Sequence, residues 1–427
     1  MRKVDLLIHS AAQLVTSASP DEPKRGADMS DPGVIANGAV AISGERIVGV
    51  GDTPTLLQEF VSDRDIDAAG KIVLPGFVDS HTHAVYAGNR IAEFESRLRG
   101  AGYLESMSAG GGIFSTARAT REASPATLKA TSRRNLAAMF SLGATTVEVK
   151  TGYGLDLPNE LKLLETIAVL DCELPVDLVP TFMPAHAVPP EFKGRAADYV
   201  RLVIDEMLPA AANWYRASHF SREGRPCYVD VFCEQGAFSV EESQRVLEAG
   251  KLLGFAVKAH VDEFTNLGGV GMALRLGATS IDHLDTITPA EIRAIAESQT
   301  IAVLTPAVNF NLGSTRFVCA RDLVDSGAAV ALATDFNPGS APCVSLPLVM
   351  GIACRYCGVL PAEALNAVTI NAAWAVGLGA RIGSIEVGKQ ADLLIADSDD
   401  FRELAYTLGG NPIQSVIKRG KVYPGNE

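Results

Sequence analysis

The sequence lacks the features that mark membrane-bound, secreted and nucleic-acid-binding proteins. No apolar run approaches the roughly 20 residues that a membrane-spanning helix needs. The first residues, MRKVDLLIHS, are interrupted by Asp5 and His9, so we expect no secretory signal. Lys and Arg number 37 against 50 Asp and Glu, a net charge of −13, which argues against nucleic acid or an anionic membrane as the partner. We expect a cytoplasmic protein that binds a small molecule.

Paired cysteines and internal repeats are also missing. The seven cysteines are odd in number and scattered, and Cys354 and Cys357 have no second Cys-x-x-Cys pair with which to complete a zinc site. We therefore interpret them as reduced thiols, mostly used in packing. No repeat of 20 to 50 residues is visible, which excludes a solenoid. Hydrophobic residues make up 47% of the 427-residue chain, enough to bury a large core and to exclude wholesale disorder.

The middle of the chain alternates between apolar, strand-like runs and helical stretches. Near-continuous apolar strands separated by helices are typical of a parallel sheet covered on both faces. Ser239 with Glu242, and Thr288 with Glu291, predict capped helix starts. Eight such units favour an α/β fold, a (β/α)8 TIM-like barrel. The predicted strands lie within residues 74–83, 143–154, 177–188, 227–238, 254–264, 278–285, 300–310 and 328–339.

The two ends of the chain have a different pattern, in which apolar and polar residues alternate and glycines interrupt. This pattern is typical of short antiparallel strands and hairpins. It occurs at residues 38–51, 383–397 and 415–423. We expect both ends to form one small β-sandwich domain, and we divide the chain into residues 1–73, 74–377 and 378–427, with the barrel in the middle.

Polar and ionisable residues follow the predicted barrel strands, and five of the seven histidines are among them. The carboxyl ends of parallel barrel strands lie on one face, where the active sites of such barrels are built. This placement therefore predicts an active site. The residues are His81, His83, Tyr153, His186, Glu234, His260, Glu263, His283, Asn309, Asp335 and Asn337.

His81 and His83 are the starting point for a metal site. Residues i and i+2 of a strand point the same way, so both imidazoles can reach one ion. A lone His-x-His motif is weak, but His260 and Asp335 at other strand ends complete a set of four. Imidazole and carboxylate ligands suit zinc, iron or nickel, and four protein ligands leave room for a water. The sequence therefore predicts a metal that activates water.

Three residues are candidates for moving the proton. Glu263 follows His260 by three residues and can lean over the water or a substrate nitrogen. Asp335 can accept a proton as a loosely held ligand, and His283 can position the water. A helix N-terminal carboxylate is the alternative for Glu263, and a satisfied core histidine is the alternative for His283.

Other residues near the predicted strand ends suit substrate binding. Arg90 is a natural anchor for a carboxylate through paired hydrogen bonds, although an ordinary surface arginine fits its position equally. His186 lies in a turn between prolines, and the glycines beside Tyr153 allow a ligand to approach the backbone. A second polar end of the substrate can be bound by the Asn337 amide, the Gly339 backbone and the Ser340 hydroxyl, although turn structure alone also explains that loop.

Several of these phrases together resemble the amidohydrolase superfamily over nearly the whole chain. They are LPGFVDSHTH, the strand ends at His260 and His283, ATDFNPGS and GSIEVGKQADLLI. THAVYAGNR, KTGYGL, PAHAVPPEFKG, HVDEF and ATDFNPGSAP narrow the resemblance to members that open the ring of 4-imidazolone-5-propanoate to give N-formimidoyl-L-glutamate, the third step of histidine degradation.

The resemblance implies a cytoplasmic homodimer with one divalent or trivalent ion, zinc or iron, in each subunit. The implied ligands are His81, His83, His260 and Asp335. The implied substrate contacts are Arg90, Tyr153, His186, Glu263, Asn337, Gly339 and Ser340.

Lys150 and Glu234 bear on the number of metals. Binuclear hydrolases of this fold carboxylate a lysine at the end of the fourth strand, whereas Lys150 ends the second predicted strand. The fourth strand ends at Glu234 and Gln235. We therefore expect one metal and interpret Lys150 as structural or as a partner of nearby carboxylates. A second ion at Glu234 stays open.

Two other functions compete with ring opening. The same metal chemistry can deaminate a purine-like or pyrimidine-like base, and a barrel can persist as a non-catalytic scaffold. Arg90 and the 337–340 turn favour ring opening because a neutral base has no propionate to anchor. A scaffold is expected to lose ligands, and all four are present.

Overall fold

The structure, a computed structural model, describes residues 1–19, 21–100 and 111–425. Within these residues, eight parallel strands form one sheet in which each strand pairs with the next along the chain. We call them the first to eighth barrel strands. They are Phe77–Asp79, Ala144–Lys150, Asp177–Ala185, Tyr228–Cys233, Ala256–Val261, Ser280–His283, Ile301–Leu304 and Val330–Leu332.

The barrel closes between its first and eighth strands. Thr82 and Phe336 form a parallel bridge just beyond the two strands. The Asp79 carboxylate accepts hydrogen bonds from the backbone N–H of Thr334 at 3.1 Å and from its hydroxyl at 2.6 Å. A buried carboxylate therefore joins the strands where their ladder is short. The predicted (β/α)8 barrel is confirmed.

Helices cover the outside of the barrel, and each predicted helix start at Ser239 and Thr288 is a complete capping box. None of the described helices is both long and apolar enough to cross a bilayer. The helices along the barrel are Ile91–Leu98, Ile113–Glu122, Pro125–Ser141, Leu157–Glu173, Ala196–Leu202, Leu208–Ala217, His219–Arg222, Val240–Leu252, Gly269–Arg275, Pro289–Ala296, Pro306–Leu312, Ala320–Asp325, Leu346–Tyr356, Pro361–Ala367 and Ile370–Ala375. A π-helical turn, Val203–Met207, and two 3-10 turns, Gly26–Ser30 and Pro190–Phe192, complete them.

The two chain ends meet in a second, mostly antiparallel sheet. Ile72–Pro75 is the joining strand, because it pairs with Leu6–Val15 on one side and with Leu393–Ala396 on the other. The other strands of this sheet are Val34–Ser43, Arg46–Asp52, Asp65–Asp67, Ile413–Lys418 and Lys421–Pro424. Arg2–Val4 pairs separately with Phe60–Ser62, and the helices Thr53–Glu59 and Glu403–Tyr406 accompany the sheets.

The composite β-domain is thus confirmed, while one predicted strand is shorter than expected. Of residues 383–397, only Leu393–Ala396 is a strand. Gly383 and Gly388 adopt φ of +87° and +95°, which turns the chain away from extended geometry. The division at residues 73/74 and 377/378 stays our proposal.

A buried ionic cluster joins the small domain to the barrel. The Lys418 ammonium lies 2.7 Å from a carboxylate oxygen of Asp177, at the start of the third barrel strand, and 2.7 Å from one of Asp392. Arg419 makes a third contact, at 2.7 Å, with Asp177. These two cations hold the pKa of the Asp177 carboxyl well below its usual range. The cluster therefore couples the stability of the two parts.

We expect Lys418→Met to lower the free energy of unfolding by about 3 kcal/mol, because it leaves two buried carboxylates without their shared cation. Denaturant unfolding followed by circular dichroism measures the change. The control is Arg402→Met, which removes an exposed arginine paired with Asp400 and is expected to leave the denaturation midpoint unchanged. Equal effects of the two substitutions would contradict the role of the cluster.

Candidate active site

A cavity of about 310 Å³ opens at the carboxyl ends of the barrel strands. Its apolar walls include Phe114, Phe232 and Phe264. Among the predicted site residues, three are not part of its lining: His81, Asn309 and Gly339. The predicted residues that line it are His83, Arg90, Tyr153, His186, Glu234, His260, Glu263, His283, Asp335, Asn337 and Ser340.

The four predicted metal ligands converge at the floor of this cavity. His81 and His83 follow the first barrel strand, His260 lies in the fifth, and Asp335 follows the eighth. The Nε2 atoms of His83 and His260 are 3.4 Å apart. Asp335 Oδ1 is 3.3 Å from His81 Nε2 and 3.8 Å from His83 Nε2.

These distances fit a metal ion. An ion about 2.0–2.1 Å from each of two nitrogens in a tetrahedral site separates them by about 3.3–3.4 Å, close to the observed spacing of His83 and His260. His81 Nε2 and Asp335 Oδ1 are buried atoms that have no hydrogen-bond partner among the described residues. Burial lowers the pKa of all three imidazoles, which leaves them neutral, the form that binds metals. The donor set therefore suits zinc or iron.

A layer of buried charges lies directly beneath the ligands. His81 Nδ1 is 2.7 Å from Asp282 Oδ2, and His260 Nδ1 is 3.1 Å from Asp230 Oδ1. The Lys150 ammonium contacts Asp230, Asp282 and also Glu148, and all four side chains are fully buried. A carboxylated, anionic Lys150 would face three carboxylates. The structure therefore agrees with Lys150 as an electrostatic partner.

The sequence interpretation did not assign Asp230, Asp282 or Glu148 to the site. Each is a buried ionisable residue within a barrel strand, and Glu148 and Asp230 have a valine on both sides. Such a residue needs a buried partner of opposite charge. That signal was present in the sequence, but it does not identify the partner.

Glu263 and His283 lie next to one another in the cavity wall. Glu263 Oε2 is 3.8 Å from His283 Nε2. Burial, together with the charge of Asp335, raises the pKa of Glu263 well above its usual value. The next helix begins only at Gly269, so the alternative of a helix N-terminal carboxylate for Glu263 is wrong.

His283 is neutral and only partly satisfied. Its Nδ1 lies 3.0 Å from the Thr305 hydroxyl, whereas its Nε2 has no hydrogen-bond partner in the described part of the chain. Burial lowers its pKa to about 4. Its φ of +83° is unusual for a residue with a side chain and is the kind of strain that active sites hold. These features disfavour the alternative of a satisfied core histidine.

His186 presents an acceptor to the cavity. Its Nδ1 is 3.1 Å from the carbonyl oxygen of Gly152, so Nδ1 must donate and Nε2 keeps its lone pair. The ring stacks on His83 with centroids 4.7 Å apart, and the Tyr153 ring is 5.5 Å away. A Cβ on Gly152 would lie 2.7 Å from His186 Nδ1, which explains the glycine there.

Arg90 is buried, so the interpretation as an ordinary surface arginine is wrong. Its side chain is 4% exposed, and its Nε donates to Glu93 Oε2 at 2.9 Å. The guanidinium lies against Gly339, where an added Cβ would be 2.1 Å from Nη1. Gly339 therefore provides the space that Arg90 occupies.

The Asn337 side chain organises the turn of the eighth strand. Its Oδ1 accepts from the backbone N–H groups of Gly339 and Ser340, both at 2.8 Å. Its Nδ2 donates to the Asp335 carbonyl at 2.7 Å and to the Ser340 hydroxyl at 2.9 Å. The amide holds the backbone from the metal ligand Asp335 to Ser340, and it also borders the cavity.

The Glu234 carboxylate is engaged by the loop that follows the fifth barrel strand. Its Oε2 accepts from the backbone N–H groups of Phe264 and Thr265 at 2.9 and 3.1 Å. Within residues 1–19, 21–100 and 111–425, Glu234 belongs to no cluster of metal-ligand atoms. It supports the segment that carries Glu263, which favours a single metal.

The sequence matches that of known proteins along its whole length. The profile of the amidohydrolase family matches residues 249–423. An imidazolonepropionase of Chloroflexus aggregans is 55% identical over 427 residues, covering 100% of both chains. An imidazolonepropionase of Herpetosiphon aurantiacus is 47% identical and covers 100% of this chain and 99% of its own.

Among solved structures, an adenosine deaminase of Xanthomonas campestris with bound zinc superimposes with a TM-score of 0.72. It covers 99% of this chain and 93% of its own at 21% identity, a likeness of fold alone. The two imidazolonepropionases are 55% and 47% identical to this chain over its full length, which shows a shared family as well as a shared fold. On that ground the chain belongs to the imidazolonepropionase family of amidohydrolases.

Proposed function

We propose that the protein hydrolyses 4-imidazolone-5-propanoate to N-formimidoyl-L-glutamate in histidine degradation. The observation that carries the proposal is one cavity with the four converging ligands at its floor and the buried Arg90 in its wall. The first feature suits hydrolysis of an amide-like bond, and the second suits a substrate with a carboxylate arm. The relatives are named imidazolonepropionase, a name that specifies both an imidazolone ring and a propionate.

The residues that would hold the metal are His81, His83, His260 and Asp335. A zinc or iron ion in this place lowers the pKa of water and polarises the carbonyl under attack. The buried histidines are neutral and ready to ligate, and the protein does not have to remove protons from them first.

The substrate is bound by residues around the cavity. Arg90 pairs with the propionate, since guanidinium and carboxylate match in geometry. His186 Nε2 accepts a hydrogen bond from a ring N–H. Tyr153 stands beside His186 and limits where the ring can lie.

The ring opens when water adds to the carbonyl carbon and the carbon–nitrogen bond breaks, and the departing nitrogen then takes a proton. Glu263 lies in the cavity beside His283 and is the donor to that nitrogen. His283 Nε2 accepts the proton that the attacking water loses, and Glu263, whose Oε2 lies 3.8 Å away, recovers its own proton from His283. Asp335, the third candidate, is held by its turn as a ligand. We also propose, from the family resemblance, a cytoplasmic homodimer with one ion in each subunit.

Removal of the metal is expected to abolish ring opening. Dialysis against a chelator should remove activity on freshly prepared imidazolone propionate, and added zinc or iron should restore it. His260→Ala should weaken zinc binding by more than about 100-fold, because a ligand contributes more than its supporting residues. Elemental analysis and an absorbance assay measure both. His9→Ala, outside the barrel, is the control. A metal-free protein that still turns over would contradict the proposal.

Arg90→Ala should reduce kcat/KM for the imidazolone by about 100-fold, with the larger part in KM, because the propionate loses its anchor. Metal content should stay at the wild-type level. Arg201→Ala is the control, since Arg201 is exposed on an outer helix. If Arg90→Ala has wild-type kinetics and the wild-type protein releases ammonia from a purine or pyrimidine base, the deaminase alternative is correct.

Gly339→Ala tests the space beneath Arg90 without touching its charge. The added Cβ must displace the guanidinium, so KM for the imidazolone is expected to rise about 10-fold or more while metal content stays constant. Gly271→Ala is the matched control, because its Cβ would lie an ordinary 3.5 Å from Arg275. Steady-state kinetics of both variants measure the difference. Identical KM values would show that Arg90 does not depend on Gly339.

A further inference from the structure

In the buried layer beneath the metal ligands, every N–H donor of the Lys150 ammonium has a carboxylate acceptor. An ammonium has three N–H donors, and Lys150 Nζ has three carboxylate oxygens around it. They belong to Asp230 at 2.7 Å, Glu148 at 3.0 Å and Asp282 at 3.2 Å. The second, fourth and sixth barrel strands are thus joined through one side chain.

Two of these carboxylates also contact metal-ligating histidines. Asp282 Oδ2, which accepts from Lys150, is the same oxygen that lies 2.7 Å from His81 Nδ1. The other oxygen, Oδ1, accepts from the Ser280 hydroxyl at 2.7 Å. With both oxygens accepting, the partner nitrogen of His81 has to be the donor.

Asp230 makes the same arrangement for His260. Its Oδ2 accepts from Lys150 and its Oδ1 from the backbone N–H of Val231 at 2.7 Å. His260 Nδ1 lies 3.1 Å from Oδ1 and is again the donor. A neutral imidazole has one proton, so a proton on Nδ1 leaves the lone pair on Nε2.

We propose that Lys150 is a positioning residue that, through Asp230 and Asp282, fixes His81 and His260 in the Nδ1–H tautomer and aims both Nε2 lone pairs at the metal. The proposal rests on the proposed function for the identity of the ligands. Each carboxylate is held by the ammonium as well as by its histidine, which restrains its rotation. The metal-free protein is therefore already arranged for binding.

Lys258 provides a matched control within the same layer. It is also fully buried, and its Nζ lies 3.0 Å from Glu148 Oε2 and 3.2 Å from the Ser80 carbonyl oxygen. It makes no ion pair with Asp230 or Asp282 among the described residues. Lys258→Met thus removes the same charge from the same interior without removing a bond to either histidine-bearing carboxylate.

The test compares wild type, Lys150→Met and Lys258→Met, all metal-free and labelled with ¹⁵N at histidine. Two-bond ¹H–¹⁵N spectra report which ring nitrogen carries the proton. We expect Nδ1–H on His81 and His260 in wild type and Lys258→Met, and a mixture of tautomers in Lys150→Met. Competition of Zn²⁺ with a chromophoric chelator should show zinc binding weakened about 10- to 100-fold in Lys150→Met alone.

Two results would overturn the proposal: Nε2–H on either histidine in the wild-type protein, or wild-type tautomers and zinc affinity in Lys150→Met. The wild-type spectrum decides the first even if Lys150→Met does not fold. If the tautomers and zinc affinities are as expected but the imidazolone is not hydrolysed, the inference holds and only the proposed function fails.

Discussion

The need to neutralise charge inside the barrel governs the arrangement of the site. Glu148, Lys150, Asp230, Lys258 and Asp282 have no access to solvent, and an unpaired charge at that depth is strongly destabilising. Each must therefore keep its partners, and each of the five has a partner on another strand. The strands are thereby held in register by ionic contacts as well as by their backbone ladders. The metal ligands rest on this rigid layer.

The rim above that layer is more varied, and backbone geometry matters there as much as charge. Asp335 and His283 both have positive φ, and each is braced by neighbours, the first by the Asn337 turn and the second by Thr305. Arg90 occupies a space that only a glycine at position 339 leaves. Binding chemistry at the rim thus depends on loops that the strands and turns hold in place.

A feature could be predicted from the sequence when the residues that form it lie close together along the chain. Strand ends with His81, His83, His260 and Asp335 could be recognised locally, because an apolar run that ends in a polar residue is visible within ten residues. The pairing of Lys150 with Asp282 spans 132 residues, and no local pattern contains it. Asn337 was predicted to lie at the cavity, and it does. Its amide, however, makes hydrogen bonds within its own turn.

The small β-domain has a consequence for synthesis of the chain. Its joining strand, Ile72–Pro75, has Leu393–Ala396 as a neighbour, so one edge of the amino-terminal part of the sheet stays unpaired until the ribosome has synthesised all eight barrel strands and Leu393–Ala396. During that time the unpaired edge of this strand, whose residues are buried in the folded protein, is exposed to other nascent chains. This sheet can therefore be completed only after the barrel strands have been synthesised, and chaperones can act on its open edge until then.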